Sequence, residues 1–217
     1  MNVEQARFNM IEQQIRPWDV LDAGVLSLLA IVKREDFVPA AYRALAFVDT
    51  EVPLGDGQSM LFPRVEARLL QEAHLHRHET VLEVGTGSGF MAALMSHKAR
   101  SVITLERRGH LAKLAVEHLR RAGVSNVTVR EMDGSGGLPA EAPFDVIMLS
   151  GSVPEVPQTL LDQLKPGGRL LAIVGDEPMM RAVRVTRLGE RSFKTEELFD
   201  TVAPRLDGFA ERGAFRF

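Results

Sequence analysis

Between residues 80 and 97 the chain reads Thr80-Val81-Leu82-Glu83-Val84, then Gly85-Thr86-Gly87-Ser88-Gly89, then an apolar stretch from Phe90 to His97. A short apolar run, three glycines at alternate positions and a second apolar run of helical length spell strand, tight turn and helix. The pattern then repeats. Val102–Leu105 reads as a strand and Leu111–Arg121 as a helix ending near Gly123. Val127–Val129, Val146–Leu149 and Arg169–Val174 read as further strands. Uninterrupted apolar strands alternating with helices belong to a parallel sheet covered on both faces, so the fold class is α/β, doubly wound. Past Gly175 the grammar changes. Ala182–Thr186 alternates apolar with polar, Gly189 marks a turn, and Phe193–Leu198 follows, which predicts an antiparallel C-terminal hairpin.

Ahead of this core lies a helical extension reaching about Ala46. Asp22 is placed to cap a helix carrying Val25, Leu26, Leu28, Leu29 and Val32, while Pro17 and Pro39 punctuate the region. Trp18 and Phe8 fit helix packing. From Asp49 to Pro63 the chain is rich in turn formers, and a connection that long is usually functional. Residues 1–79 are therefore expected to form a helical segment and substrate-side loop packed on an α/β core of residues 80–217, as one domain. A chain of 217 residues suffices for that.

Charge and composition narrow the partners. Lys and Arg number 26 against 29 Asp and Glu, so nothing favours a nucleic-acid backbone. With no cysteine, thiolate catalysis and Cys-ligated zinc are excluded. Apolar stretches such as Leu28–Val32 are too short to span a bilayer, and Met1–Met10 lacks the apolar core of a signal peptide. The cytoplasm is the expected compartment. His74, His76 and His78 alternate, but without companion acids they read as a polar surface turn rather than a metal site. Arg181, Arg184 and Arg187 suggest an exposed basic face on an edge strand.

The glycine spacing is G-x-G-x-G, whereas a dinucleotide fingerprint would place a third glycine at position 90, which is Phe90. Glu83 stands two residues before the first glycine. A carboxylate there suits a ligand with a cationic end better than one presenting a pyrophosphate. S-adenosylmethionine, a zwitterion with a sulfonium, is such a ligand. Glu106 ends the second strand, where a carboxylate can accept from ribose hydroxyls. Asp133, followed by Gly134, lies past the third strand, within reach of an adenine amine. Acids at successive strand ends converge on the crevice where such sheets bind ligands.

These motifs resemble the protein-L-isoaspartate O-methyltransferase family over about Asp22 to Val174. The resemblance is carried by Arg34-Glu35-Asp36-Phe37-Val38-Pro39, Ala46-Phe47-Val48-Asp49, Pro53-Leu54-Gly55, Gly57-Gln58, the glycine turn itself, and Gln163-Leu164-Lys165-Pro166-Gly167-Gly168-Arg169-Leu170. It implies a Rossmann-like methyltransferase sheet. Gln58, Ser59, Glu83, Gly85, Thr86, Gly87, Ser88, Glu106, Asp133 and Gly134 would hold S-adenosylmethionine, leaving S-adenosylhomocysteine as product. Asp49, Phe62 and Ser150 would border the acceptor, an isoaspartyl-containing peptide or protein. One departure stands out. Where the family usually reads Thr-Ile-Ser-Gln-Pro, this chain reads Ser59-Met60-Leu61-Phe62-Pro63, so Leu61 occupies the serine position. An alkyl group cannot donate a hydrogen bond to a carboxylate. Ser59, two residues earlier, is the nearest hydroxyl. Arg64 stands where the family often has an aromatic residue. Three readings stay open: isoaspartyl repair, methylation of a more apolar small-molecule acceptor, or cofactor binding without catalysis.

Overall fold

The structure is a computed structural model describing residues 2–210. Residue 1, and residues 211–217 of the expected core, lie outside the described residues. In chain order the elements begin with helix α1 (Val3–Met10), one π turn (Ile11–Ile15) and helix α2 (Ala23–Ile31). Asp22 caps α2 as its sequence position suggests, Oδ1 accepting from the Val25 amide at 2.8 Å. The turn-rich stretch contains a small hairpin, β1 (Val52–Gly55) and β2 (Gln58–Met60), and leads into α3 (Pro63–Ala73). Pro63 suits the first turn of α3, where its missing N–H costs nothing.

The core follows as β3 (Thr80–Val84), α4 (Phe90–Ser96), β4 (Ser101–Glu106), α5 (Gly109–Arg121), β5 (Val127–Glu131), β6 (Phe144–Val153), α6 (Gln158–Leu161), β7 (Leu164–Asp176), β8 (Met179–Arg187) and β9 (Phe193–Thr201). Seven strands form one sheet in the order β5-β4-β3-β6-β7-β8-β9. β3 to β7 run parallel, while β8 and β9 are antiparallel. The chain steps outward from β3 to β5 and returns beyond β3 to β6. The order reverses between β3 and β6, which places a crevice at their carboxyl ends.

Alternation along the strands sorts the core into two layers. Val81, Val102, Val146, Met148 and Leu171 face one cluster, which also contains Ile15, Leu29, Leu69 and Met95 from the helices. Leu82, Val84, Ile147, Leu149 and Leu170 face the other, with Leu160 and Leu161. The N-terminal helices thus share one apolar layer with the sheet.

Two expectations need correction. β8 lies one strand in from the edge, and its arginines face carboxylates and carbonyls: Arg181 meets Glu197 and Asp200, Arg184 meets Glu72 and Glu196, and Arg187 donates to the Leu164 carbonyl. Phe8 is 59% exposed and packs no core. Trp18 packs as expected against a helix, under Arg64 of α3, and also meets Phe199 of β9. His74, His76 and His78 lie on the surface after α3, the rings of His76 and His78 stacked 5.8 Å apart.

Candidate active site

The turn after β3 sits at the strand-order reversal. The Gly85 amide donates to the Leu105 carbonyl at 2.9 Å, and the Gly89 amide closes the turn onto the Thr86 carbonyl at 2.9 Å. Gly85 (φ 91°) and Gly87 (φ 52°) adopt left-handed backbone that side chains disfavour. A Cβ on Gly85 would lie 2.6 Å from Leu206 Cδ2, and one on Gly87 3.2 Å from Leu54 Cδ1. Two cavities meet at this turn. The larger is lined by Gln58, Ser59, Gly85, Gly87, Glu106, Gly134 and Ser150 among others. The smaller is lined by Ser59, Leu61, Glu66, Glu83, Thr86, Ser88 and Ser150 among others.

Carboxylates define the electrostatics. Glu83 is fully buried; Oε1 accepts from Ser150 Oγ and Oε2 from Thr104 Oγ1, each at 2.6 Å. Because the single Thr104 hydroxyl hydrogen goes to Glu83, Thr86 Oγ1 is the donor in their 2.6 Å contact. Burial pushes the Glu83 carboxyl up to about 7, against the two hydroxyl bonds and with help from Glu106 and Glu66. Burial likewise pushes Glu66 up to about 7 despite its partner Arg34. Glu106 spans the turn, Oε2 accepting from the Gly87 amide at 2.9 Å and Oε1 from the Arg108 amide at 3.0 Å. Asp133 stands on the rim, its side chain 47% exposed, with Arg107 3.6 Å away.

Two raised carboxyls make a testable pH signature. Between the ordinary 4.5 and about 7, the folded chain holds more protons at Glu66 and Glu83 than the unfolded chain does. Their contribution to stability is complete below about pH 4.5 and is lost as pH rises through about 7. Lowered groups such as Asp22, held down by the Val25 amide, act oppositely and lose their contribution only in stronger acid. The melting temperature of the cofactor-free protein is therefore expected to fall from pH 5 to pH 8. Glu83→Gln should flatten that slope in a calorimetric scan.

On the acceptor side, Ser59 in β2 borders both cavities. Leu61 is 4% exposed, and its carbonyl accepts from Arg34 Nη2 at 2.8 Å. Arg34 also holds Glu66 (Nε to Oε2, 3.2 Å) and the Ala46 carbonyl (3.3 Å). The chain bends between β2 and α3, so the neighbours Leu61 and Phe62 end on different sides. Phe62 lines a separate outer groove, its ring 4.7 Å from the Arg64 guanidinium, and Asp49 forms an ion pair with that arginine. Neither Asp49 nor Phe62 lines the two cavities, and Asp133 does not either.

Comparison with known proteins agrees with this geometry. The family model described as Protein-L-isoaspartate(D-aspartate) O-methyltransferase matches residues 5–202. The chain belongs to this family. The protein-L-isoaspartate O-methyltransferase of Brucella anthropi is 39% identical over 198 residues, covering 91% of each chain. That of Herpetosiphon aurantiacus is 40% identical over 192 residues, 88% of this chain and 86% of the relative. Among solved structures, a protein-L-isoaspartate O-methyltransferase superposes with a TM-score of 0.78 at 25% identity, covering 93% of this chain and 66% of that one. A Plasmodium falciparum structure, titled a putative member in complex with S-adenosyl-L-homocysteine, shares the fold (TM-score 0.77, 21% identity, 94% of this chain and 99% of that one).

Residues 203–209, beyond the family match, complete the crevice wall. After β9, residues 202–209 return across the carboxyl end of the sheet. The Ser152 amide donates to the Pro204 carbonyl at 2.8 Å and the Leu206 amide to the Ser152 carbonyl at 2.9 Å. Arg205 Nη2 reaches the Gly175 carbonyl (2.9 Å), and Asp207 pairs with Arg108 at 2.6 Å. Leu206 and Asp207 line the larger cavity with Leu54, Arg108 and Leu111. Leu54 lies in the Pro53-Leu54-Gly55 run, but Leu111, Leu206 and Asp207 are marked by no sequence motif, because the wall depends on contacts distant in sequence, such as Arg108 with Asp207. Among the described residues no group of acids and histidines could hold a metal ion, and no helix is long and apolar enough to cross a membrane.

Proposed function

We propose that this member of the protein-L-isoaspartate O-methyltransferase family methylates the free carboxylate of isoaspartyl residues in damaged polypeptides. The observation that carries the reading is the bulk-free glycine turn at the strand-order reversal, ringed by Glu83 and Glu106. A side chain at Gly85 or Gly87 would fill that cradle, and the buried acids suit a cationic ligand, so the residues fit S-adenosylmethionine. When bound, S-adenosylmethionine supplies an electrophilic methyl group on a sulfonium.

In this reading Gly85, Thr86, Gly87 and Ser88 leave room for the ligand beside the backbone. Glu83 offers an anion to a cationic group, with Thr104 and Ser150 fixing its oxygens. Glu106, Gly134 and Gln58 line the larger cavity, with Asp133 on its rim. A carboxylate acceptor is already ionised at neutral pH, so alignment and exclusion of water matter more than a general base. Ser59 and Ser150 place hydroxyls where the cavities meet, and Ser59 takes the donor role that Leu61 cannot. The full-length likeness to isoaspartyl relatives favours this acceptor over an apolar metabolite. We place the reaction in the cytoplasm, which the absence of cysteine suits.

The test is methyl transfer to an isoaspartyl peptide alongside its aspartyl twin. Transfer to the first alone is expected. Ser59→Ala should lower kcat/KM about tenfold, the usual size for a lost hydrogen bond to a charged group. Equal transfer to both peptides, or to neither, would refute the acceptor assignment.

A further inference from the structure

Outside the crevice lies an open groove of about 1300 Å³, walled by Trp18, Phe62 and Arg64 on one side and by Gly175, Met179 and Met180 on the other. Its first wall stacks aromatic rings and a cation, backed by Phe199 and Arg68 behind Trp18. Arg64 sits 4.7 Å from the Phe62 ring and 4.6 Å from Trp18. Trp18 meets Phe199 edge-on at 5.5 Å, and Arg68 lies 5.6 Å from Phe199. Stacking of this kind holds long side chains in place. The opposite lip is softer: Met179 is 83% exposed while Met180 is buried.

Both cations in the groove are already paired. Arg64 pairs with Asp49, and Arg181 pairs with Glu197 and with Asp200 at 2.7 Å. What remains for an occupant is aromatic faces and methionine, beside one carboxylate in excess where Glu197 and Asp200 share Arg181. The groove lies beside the reaction crevice, across the bend between β2 and α3. Phe62 directly follows Leu61 of the smaller cavity, and the Gly175 carbonyl holds Arg205, whose own carbonyl accepts from Gln58 Nε2 at 3.5 Å.

From this arrangement we infer that the groove binds the acceptor polypeptide beside the methylated residue, taking an apolar or aromatic side chain between Trp18 and Met179. The inference rests on the acceptor reading above. Methionine adapts to many shapes, so the lip accepts varied apolar neighbours, as a repair enzyme meeting damage in many sequences requires. The groove then sets KM, and the cavities at the glycine turn set kcat.

Trp18 is the chain's single tryptophan, so its emission reports the groove without any need for turnover. Two isoaspartyl peptides serve as probes, one flanked by glycines and one with a phenylalanine beside the isoaspartyl residue. The phenylalanine peptide should shift Trp18 emission saturably and show a KM about tenfold below the glycine peptide, with similar kcat. Met179→Asp puts a charge on an exposed lip, so the fold is kept. It should erase the tenfold advantage without changing S-adenosylhomocysteine affinity. Equal KM values in the parent, unmoved emission, or a Met179→Asp variant that keeps the advantage would overturn the groove assignment. Saturable emission shifts with no methyl transfer would instead sink the acceptor reading and leave the groove standing.

Discussion

Gly87→Val is expected to weaken S-adenosylhomocysteine binding by about 100-fold, a loss of about 2.7 kcal/mol. Three effects add. Valine is β-branched and strongly disfavours the φ of 52° found there, a strain of about 1–3 kcal/mol. Its side chain would project toward Leu54 Cδ1, 3.2 Å from the Cβ position, into the larger cavity. Relief of that crowding would pull the Gly87 amide off Glu106, which it now meets at 2.9 Å. Titration calorimetry measures the affinity, and circular dichroism confirms that the variant is folded. Gly87→Ala, with less bulk, should fall between the two. Unchanged affinity in Gly87→Val would mean that the cofactor sits elsewhere.

Arg34→Met should cost about 3–5 kcal/mol of stability, a fifth or more of the roughly 5–15 kcal/mol a domain of this kind commands. Arg34 is 1% exposed and lies 5.7 Å from the Phe90 ring. Removing its guanidinium orphans three acceptors at once: Glu66 and the carbonyls of Leu61 and Ala46. A buried carboxylate without its cation is the costly part. Glu66 is already pushed up to about 7, so at pH 5 it is protonated and the deficit should shrink. Arg34→Met with Glu66→Met removes both charges and should recover most of the loss. Urea denaturation at pH 5 and pH 8 separates these cases. A single variant as stable as the parent at pH 8 would contradict the role given to the pair.

Much of this architecture is visible in the chain before any coordinates. The apolar runs at Thr80–Val84, Val102–Leu105 and Val146–Leu149 lie within parallel strands, because burial on both faces leaves no polar alternation to mislead. Strand ends are harder. β5 continues to Glu131, since charged residues line the sheet's crevice end, and β6 runs through Ser150-Gly151-Ser152 with a shift in register. The β1–β2 hairpin escapes notice because Pro53, Gly55 and Gly57 read as turn rather than strand. The glycine turn, Glu83 and Glu106 are legible because local spacing places them. Which way Leu61 and Phe62 face is not, since one bend between β2 and α3 decides it. Arg64 gives no sign of its aromatic partners, for Trp18 is brought there by tertiary packing alone.

The return of residues 202–209 has a kinetic corollary. Leu206 rests on Gly85 and Gly151, and its neighbours are anchored through Ser152, Gly175 and Arg108. Those anchors hold Leu206 and Asp207 as a wall of the larger cavity. Residues 202–209 are then expected to slow ligand escape until they loosen locally, an opening cheaper than global unfolding. Turnover becomes sensitive to residues that never touch the transferred group.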